Sequence, residues 1–528
     1  MVEACLCQLR RYSEATDQAA CLLEVDAALW FGHYPRAGQL LAHHALPKEL
    51  ERIRTAQLAL GQGQHGLAED AASEALLLTH EAGDHDTMLS ALLVLAEAQQ
   101  AKGNAVQGLR TADRALALAH ELGSPPGIAQ ALITQGVGQL HQGRYDRAIG
   151  LFQEARCTAL EHDLRHHLAA ALSGVRQVQS NTNALQEALA TVREELSLWR
   201  DLGLLRQEAK ALEGEAMIHD LLGHPSASLR ALDQARDISR RLSDPLRLAV
   251  NQYNLACSLL YHNDAGASRA IKESRQALDA FRRYRQPGRE VAALTILDYA
   301  FWVDGQHGNA LAVLQHAYAA CERIDELARL PELLAYQGLA ELGLGHRRAA
   351  LDITRRAILA LAQGTVSDEV IPEIYYAHAM ALVANGTDDQ ASSYLTQAYH
   401  TLLDAAAQFK DEESRQAFFR HNPALRRLMD ELTARGLAPA PDAGIVSRTL
   451  PSASDDQPLQ IAWTLDAGPA DAALKQAQGA IALRRARLNR LLREARAQGA
   501  RPSTADLAEV LGVSRRTVQR DLVVLRSA

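Results

Sequence analysis

The residues best equipped for chemistry stand near the end of the chain, in Ser514-Arg515-Arg516-Thr517-Val518-Gln519-Arg520-Asp521-Leu522. If this stretch is helical, Val518, Leu522 and Leu525 turn inward, and Arg515, Arg516, Gln519 and Arg520 turn outward. Arginine grips guanine bidentately and glutamine grips adenine. Ser514 and Thr517, at the helix start, suit phosphate oxygens. These six side chains predict contact with a DNA major groove. The charge distribution agrees. From Arg484 to Ala528 there are 11 arginines and no lysine against Glu494, Asp506, Glu509 and Asp521, a net charge of +7. The remaining 483 residues carry −15. A basic end on an acidic body predicts a small nucleic-acid-facing module joined to something else.

Such a reader needs a scaffold. Ala480 to Ala497 predicts an arginine-rich amphipathic helix with Ile481, Leu488, Leu491, Leu492 and Ala495 facing inward. Pro502 ends that stretch, and Ser503-Thr504-Ala505-Asp506 reads as a helix start with an acidic first turn. A short helix over Leu507–Leu511, a turn at Gly512-Val513 and a helix capped by Ser514 complete the set. The string Leu507-Ala508-x-x-Leu511-Gly512-Val513-Ser514-x-x-Thr517-Val518-x-Arg520-Asp521-Leu522 resembles the helix-turn-helix of DeoR-like bacterial repressors. The resemblance implies a DNA-binding domain over 476–528. Gln519 stands where those repressors usually have arginine, and no β-wing is expected after Leu522. The bland alternative is a solvated helix that caps the protein.

Residues 438–475 read as a linker. Five of the 16 prolines fall within 438–470, and Leu459-Gln-Ile-Ala-Trp-Thr-Leu465 alternates as a half-buried strand that Ile445 to Leu450 could pair with. A lone hairpin is marginal in water, so Trp463 must pack on something. The linker is expected to be flexible but partly stiffened by proline, with self-association placed in the repeat body or in a partner bound there.

The body is periodic. Gly143-x-Tyr145-x-x-Ala148 with Ala155 recurs at Gly32, Gly63, Gly103, Asn183, Gly223, near Ala265, and at Gly305, Gly345 and Gly386. The steps are 31, 40, 40, 40, 40, 42, 40, 40 and 41 residues, a signature of stacked supersecondary units. The glycine reverses the chain between two helices. The two alanines share a face of the second helix and let its neighbours approach. Seven residues before the marker the first helix is also small, except at Arg176 and Asp298. The repeat around Asn183, with Arg176 where a small residue belongs, is therefore expected to be the weak point.

This pattern resembles the tetratricopeptide repeat. The resemblance implies an all-α fold, a right-handed superhelix of about ten helix pairs over 1–407 with a concave inner surface, plus the small C-terminal helix-turn-helix domain. Residues 408–437 read as a helical cap with Phe418, Phe419, Leu425, Leu428, Met429 and Leu432 on one face. First-helix positions that line the groove in this repeat class carry Tyr253, Tyr299, Trp302 and Tyr376, and, as polar candidates, Gln177, Lys210, Glu213 and Asp220. They would bind a protein or peptide partner, or else pack between helices. Arg11-Tyr12-x-x-Ala15 reads as a clipped repeat, so the chain is expected to be part of a longer regulator.

Composition bounds the rest. Hydrophobic residues are 48% and charged residues 22%, which excludes wholesale disorder. No apolar run is long enough for a membrane helix. Six scattered cysteines build no disulfide framework, and Cys157, Cys257 and Cys321 read as small core residues. Neither Cys5 and Cys7 nor the pairs His43-His44 and His166-His167 have metal-ligand spacing. With no phosphate-binding loop and no nucleophile elbow, neither catalysis, metal nor cofactor is expected. The reading is a cytoplasmic transcription regulator, a DNA-bound homodimer, whose repeat body senses a partner. The alternative is an interaction scaffold in a signalling complex without DNA binding.

Overall fold

The computed structural model describes residues 17–43, 46–262, 266–324, 329–363, 370–407, 409, 418, 423–435, 437, 444–452, 458–466 and 469–527. Among these are 24 helices and one two-stranded antiparallel sheet. The chain is all-α, built as a tetratricopeptide-like repeat. It divides into two compact units. One runs to His219 and includes His224–Asn254; the other holds Asp220–Gly223 and everything from Leu255 onward.

Within each unit, helices adjacent in sequence pack as pairs, and each first helix also packs on the first helix of the next pair. In the first unit this row includes Lys48–Gly61, His85–Ala101, Pro125–His141 and Arg165–Asn181; in the second, Pro287–Val303, Leu330–Gly343 and Ile371–Ala384. The small residues explain the close approach. Ala68, Ala75, Ala148, Ala155, Ala310, Ala317, Ala350 and Ala357 are all buried. A side chain at Gly136 would meet Phe152 at 2.6 Å, so that glycine is required for close contact between the two helices of its pair.

The reversal between helices is equally consistent. Each glycine marker from Gly32 to Gly386 has positive φ, and Asn183 takes φ 55° in the same place. Asparagine is among the few residues that tolerate this region. A second left-handed position, invisible in the marker pattern, closes each pair onto the next at Gly83, Gly123, Asp163, Gly203, Ser243 and Arg285.

Arg176 is no defect. It is buried, and its Nε donates to Glu195 Oε2 at 2.8 Å. Glu195 sits where other repeats have the second alanine, so two exceptions to the pattern meet as one ion pair. Trp199 Nε1 donates to the other carboxylate oxygen at 3.2 Å, and a side chain at Gly214 would collide with the Arg176 guanidinium. The premise for a weak point at Asn183 is thus removed. In the same unit Arg206 reaches back 145 residues to donate to Gly61 O at 3.0 Å and covers the ring of Tyr34 at 4.5 Å. Asp298, the other exception, is buried with neither carboxylate oxygen hydrogen-bonded. Burial, then the charge of Glu332, push its pKa well above the usual range.

In the second unit the cap helix Pro423–Ala434 buries Leu425, Leu428, Met429 and Leu432 against Ala398, Tyr399 and Leu402, with Phe418 packed alongside. Phe419 lies outside the described residues, as do residues 1–16 with Cys5, Cys7 and the clipped repeat. Cys157 is exposed, contrary to the core expectation, whereas Cys321 is buried. It lies on the outer face of its helix, away from the small stripe of Ala148 and Ala155.

The strands Gly444–Pro451 and Pro458–Asp466 pair antiparallel, with Val446 opposite Trp463 and Leu450 opposite Leu459. They do not form a detached hairpin. Trp463 is fully buried in a core shared with Leu488, Leu491, Ala495, Leu507, Ala508 and Val518, and its Nε1 donates to Leu491 O at 2.8 Å. The second strand also packs on the helix Asp388–Ala407. The expectation of a flexible tether therefore fails across these strands, because Trp463 finds its partner in the following helix.

Candidate functional site

Two places gather the side chains singled out by the sequence. The first is the C-terminal helix pair Thr504–Val510 and Arg515–Ser527, joined through Gly512 at φ 63°. Ser503 opens the first helix with a capping box. Its Oγ accepts from Ala505 N and Asp506 N at 3.2 Å each, and Asp506 Oδ2 accepts from Ser503 N at 2.7 Å. Ser514 caps the second helix by accepting from Thr517 N at 3.2 Å, and the two hydroxyls lie 2.9 Å apart. Val518 is buried, and Val513, Leu522 and Leu525 pack around the same core. Ile481, expected inside, is exposed. It falls two residues after Gly479, whose φ of 83° kinks the Pro469–Ala497 helix, and lies beyond the stripe that reaches the core.

Arginine in this module has two fates. Arg484 Nε and Arg485 Nε donate to the two oxygens of buried Asp521 at 2.7 and 2.9 Å. Burial pushes the Asp521 carboxyl up, but these two guanidinium groups outweigh it and hold its pKa below the ordinary value. Arg487 and Arg490 converge in the same way on buried Asp471, at 2.8 to 2.9 Å. Four of the 11 tail arginines are therefore engaged inside the module: two join the Pro469–Ala497 helix to Arg515–Ser527, and two bridge the kink within Pro469–Ala497. By contrast Arg515, Arg516, Gln519 and Arg520 are exposed, and no ion pair or side-chain hydrogen bond engages them among the described residues. At about 100° per residue they span an arc of roughly 140° on one face. The sequence reading missed Val523, which is exposed within that arc; only its spacing of four from Gln519 signalled it.

The second place is an aromatic cage in the repeats of the second unit. Tyr299 and Trp302 come from Pro287–Val303, Tyr336 from Leu330–Gly343 and Tyr376 from Ile371–Ala384. Ring centroids of Tyr299 lie 5.8 Å from Trp302 and 5.9 Å from Tyr336. The cap helix supplies what the sequence reading did not foresee. The Arg427 guanidinium lies 4.3 Å over the Trp302 ring and 5.9 Å from that of Tyr299, and its Nη1 donates to Tyr299 Oη at 3.1 Å. Burial pushes the Tyr376 hydroxyl pKa up and Arg427 draws it down. Tyr336 Oη donates to Glu373; burial, then the Glu373 charge, push its pKa far up.

The other groove candidates do not join this cage. Glu213 accepts from Arg247 Nη1 at 2.8 Å and from Asn251. Lys210 is exposed, and its charge acts on Glu97, whose carboxyl burial pushes up and whose Oε1 accepts from Gln130 at 2.8 Å. Gln177 is exposed, Tyr253 is half-buried, and Asp220 accepts from Ser258 at 2.9 Å. No metal-holding group of three or more His, Cys, Asp or Glu side chains occurs among the described residues, and no helix there is long and apolar enough to cross a membrane.

No family model and no curated protein matches the chain. Solved structures do. A Rap protein complexed with competence and sporulation factor aligns over 69% of this chain and 100% of its own at 15% identity, with a TM-score of 0.48. The apo form of the quorum sensor NprR from B. thuringiensis aligns over 66% and 97% at 12% identity, with a TM-score of 0.47. A signal transduction ATPase with a tetratricopeptide repeat sensor from Pyrococcus horikoshii aligns over 77% and 56% at 14% identity, with a TM-score of 0.44. Likeness at this distance carries nothing about what this chain binds.

Proposed function

We propose that the chain is a cytoplasmic transcription regulator. Its C-terminal helix pair reads DNA as a helix-turn-helix, and its repeat body binds a protein or peptide partner. One observation carries this reading: the arginines of the module are sorted. Those on the Pro469–Ala497 helix that reach Asp521 and Asp471 are locked inside, while Arg515, Arg516 and Arg520 stand exposed beside Gln519 on the face that would enter a major groove. Val523 adds an apolar surface suited to a thymine methyl. A single reader offers few base contacts, so the regulator acts as a homodimer on two half-sites. We place the module between residues 444 and 527, because the strands share its core.

Fluorescence anisotropy of the full chain on duplex DNA from its own promoter region tests this. Arg516→Ala and Arg520→Ala should each weaken specific binding by about 1–3 kcal/mol wherever the arginine reads a guanine. For the dimer the slope of log K against log salt should fall between about −5, for Arg515, Arg516 and Arg520 of both protomers, and about −11, if Arg493, Arg496 and Arg501 also touch phosphate. Salt-independent binding, or unchanged affinity in both variants, leaves the scaffold reading instead.

A further inference from the structure

We propose that the aromatic cage is a guanidinium site, that Arg427 is its resident occupant, and that the partner bound there is an arginine-bearing peptide segment that takes Arg427's place. This rests on the reading of the repeat groove as a partner site and names the chemistry of that partner.

The cage is shaped for a planar cation. Trp302 offers a ring face at 4.3 Å, and Tyr299 offers both a ring and a hydroxyl oxygen that accepts from the guanidinium at 3.1 Å. Stacking on an indole combined with a directional N–H donor is what arginine provides and the compact ammonium of lysine does not. The surroundings favour positive charge. Glu332 and Glu373 belong to the two helices beyond Tyr299, and Asp430 and Glu431 act on Tyr376 from the cap helix itself. The acidic body, at −15 before the tail, steers a basic segment toward such a site.

Arg427 is also a removable occupant. The cap helix is held by its opposite face, where Leu425, Leu428, Met429 and Leu432 enter the core with Tyr399 and Leu402. Its position therefore does not depend on where the Arg427 side chain points. A partner's guanidinium needs only to displace one side chain, at the cost of the contacts that side chain made. Affinity for an external arginine is then lowered by internal competition, and removing Arg427 must raise it.

The test uses the full-length chain and two probes, acetyl-Gly-Arg-Gly-amide and its lysine counterpart, by isothermal titration calorimetry. Arg427→Ala should bind the arginine probe about tenfold or more tighter than the unaltered chain, and about tenfold tighter than it binds the lysine probe. Adding Trp302→Leu should abolish the gain. Arg427→Gln, which retains much of the side-chain length, should show the same direction and replaces Arg427→Ala if that variant does not fold. No gain in either variant, or equal binding of both probes, overturns the proposal. DNA affinity of the same proteins is measured in parallel. It depends on Arg515–Ser527, so failure of the reader and failure of the cage are separate results.

Discussion

Glu195→Ala is the sharpest test of how the repeats tolerate their own exceptions. The substitution restores the alanine found at that position in most other repeats, so pattern alone predicts a gain in stability. The structure predicts the reverse. Arg176 has only 6% of its side chain exposed and Glu195 only 1%. Without Glu195 the guanidinium stays inside the array, with only the Ser173 hydroxyl, at 3.3 Å, among its recorded hydrogen-bond partners. Breaking such a pair costs about 3–5 kcal/mol, most of it the penalty of an uncompensated charge. The Trp199 indole N–H loses its acceptor as well, at a cost of about 1–3 kcal/mol if it stays buried. Arg176→Ala/Glu195→Ala should recover much of that loss, because small residues at both positions are what the other repeats use. The void left beside Gly214 limits the recovery.

A repeat array does not unfold as one two-state transition, so the measurement must be local. Amide hydrogen exchange over Arg165–Asn181 and Leu185–Leu202 reports the opening of this pair directly. A loss of 3 kcal/mol corresponds to roughly a hundredfold faster exchange. The double-mutant cycle should give a coupling of about 2 kcal/mol or more. If Glu195→Ala exchanges at the original rate, or if the two single losses simply add, the pair is not what holds this repeat.

Two further outcomes are expected. Arg285 adopts φ 52° at a position where Gly83, Gly123 and Gly203 serve elsewhere; Arg285→Gly should stabilise the hairpin it closes by about 1 kcal/mol, read as slower exchange in Ala267–Arg283. His378 is buried, 3.0 Å from Thr354 Oγ1, and burial, aided by the charge of Arg355, lowers its pKa to about 4. Its folded-state value lies below the unfolded one, so the unfolded chain binds the extra proton. Stability from this group is complete above pH 6.5 and declines as pH falls to about 4, by on the order of 3 kcal/mol. His378→Gln should remove that part of the acid sensitivity, as measured by amide hydrogen exchange over Arg347–Gln363 and Ile371–Ala384 between about pH 7 and pH 4, after correction for the intrinsic rate.

The repeat was legible because its requirements are local. A left-handed turn favours glycine or asparagine, and a helix crossing favours a small residue. Both recur every 40 residues, so each copy supports the others. The turns between pairs escaped because Asp163, Ser243 and Arg285 replace glycine at half of them. Long-range pairing escaped for a different reason. Arg176 was visible as an exception, but nothing in a periodic pattern says that Glu195 is the residue it touches. Arg427 and Tyr299 lie 128 residues apart, and the cap that carries Arg427 is outside the period altogether.

The tail shows how a charge count hides the different roles of the charges it sums. Eleven arginines read as one basic surface, yet four of the six on the Pro469–Ala497 helix are structural. Two buried aspartates, Asp521 and Asp471, each lie between two arginines: the Asp521 pairing draws the Arg515–Ser527 helix onto that helix, and the Asp471 pairing ties the segment before its Gly479 kink to the segment after it. The Asp521 pairing is the more informative, because Asp521 belongs to the same helix as Arg515, Arg516 and Arg520. The middle of that helix is fixed by arginines from its neighbour, and its Arg515, Arg516 and Arg520 stand exposed. On the reading proposed above, that arrangement holds still the backbone behind Arg515, Arg516 and Arg520, as a guanidinium that reads a base edge requires.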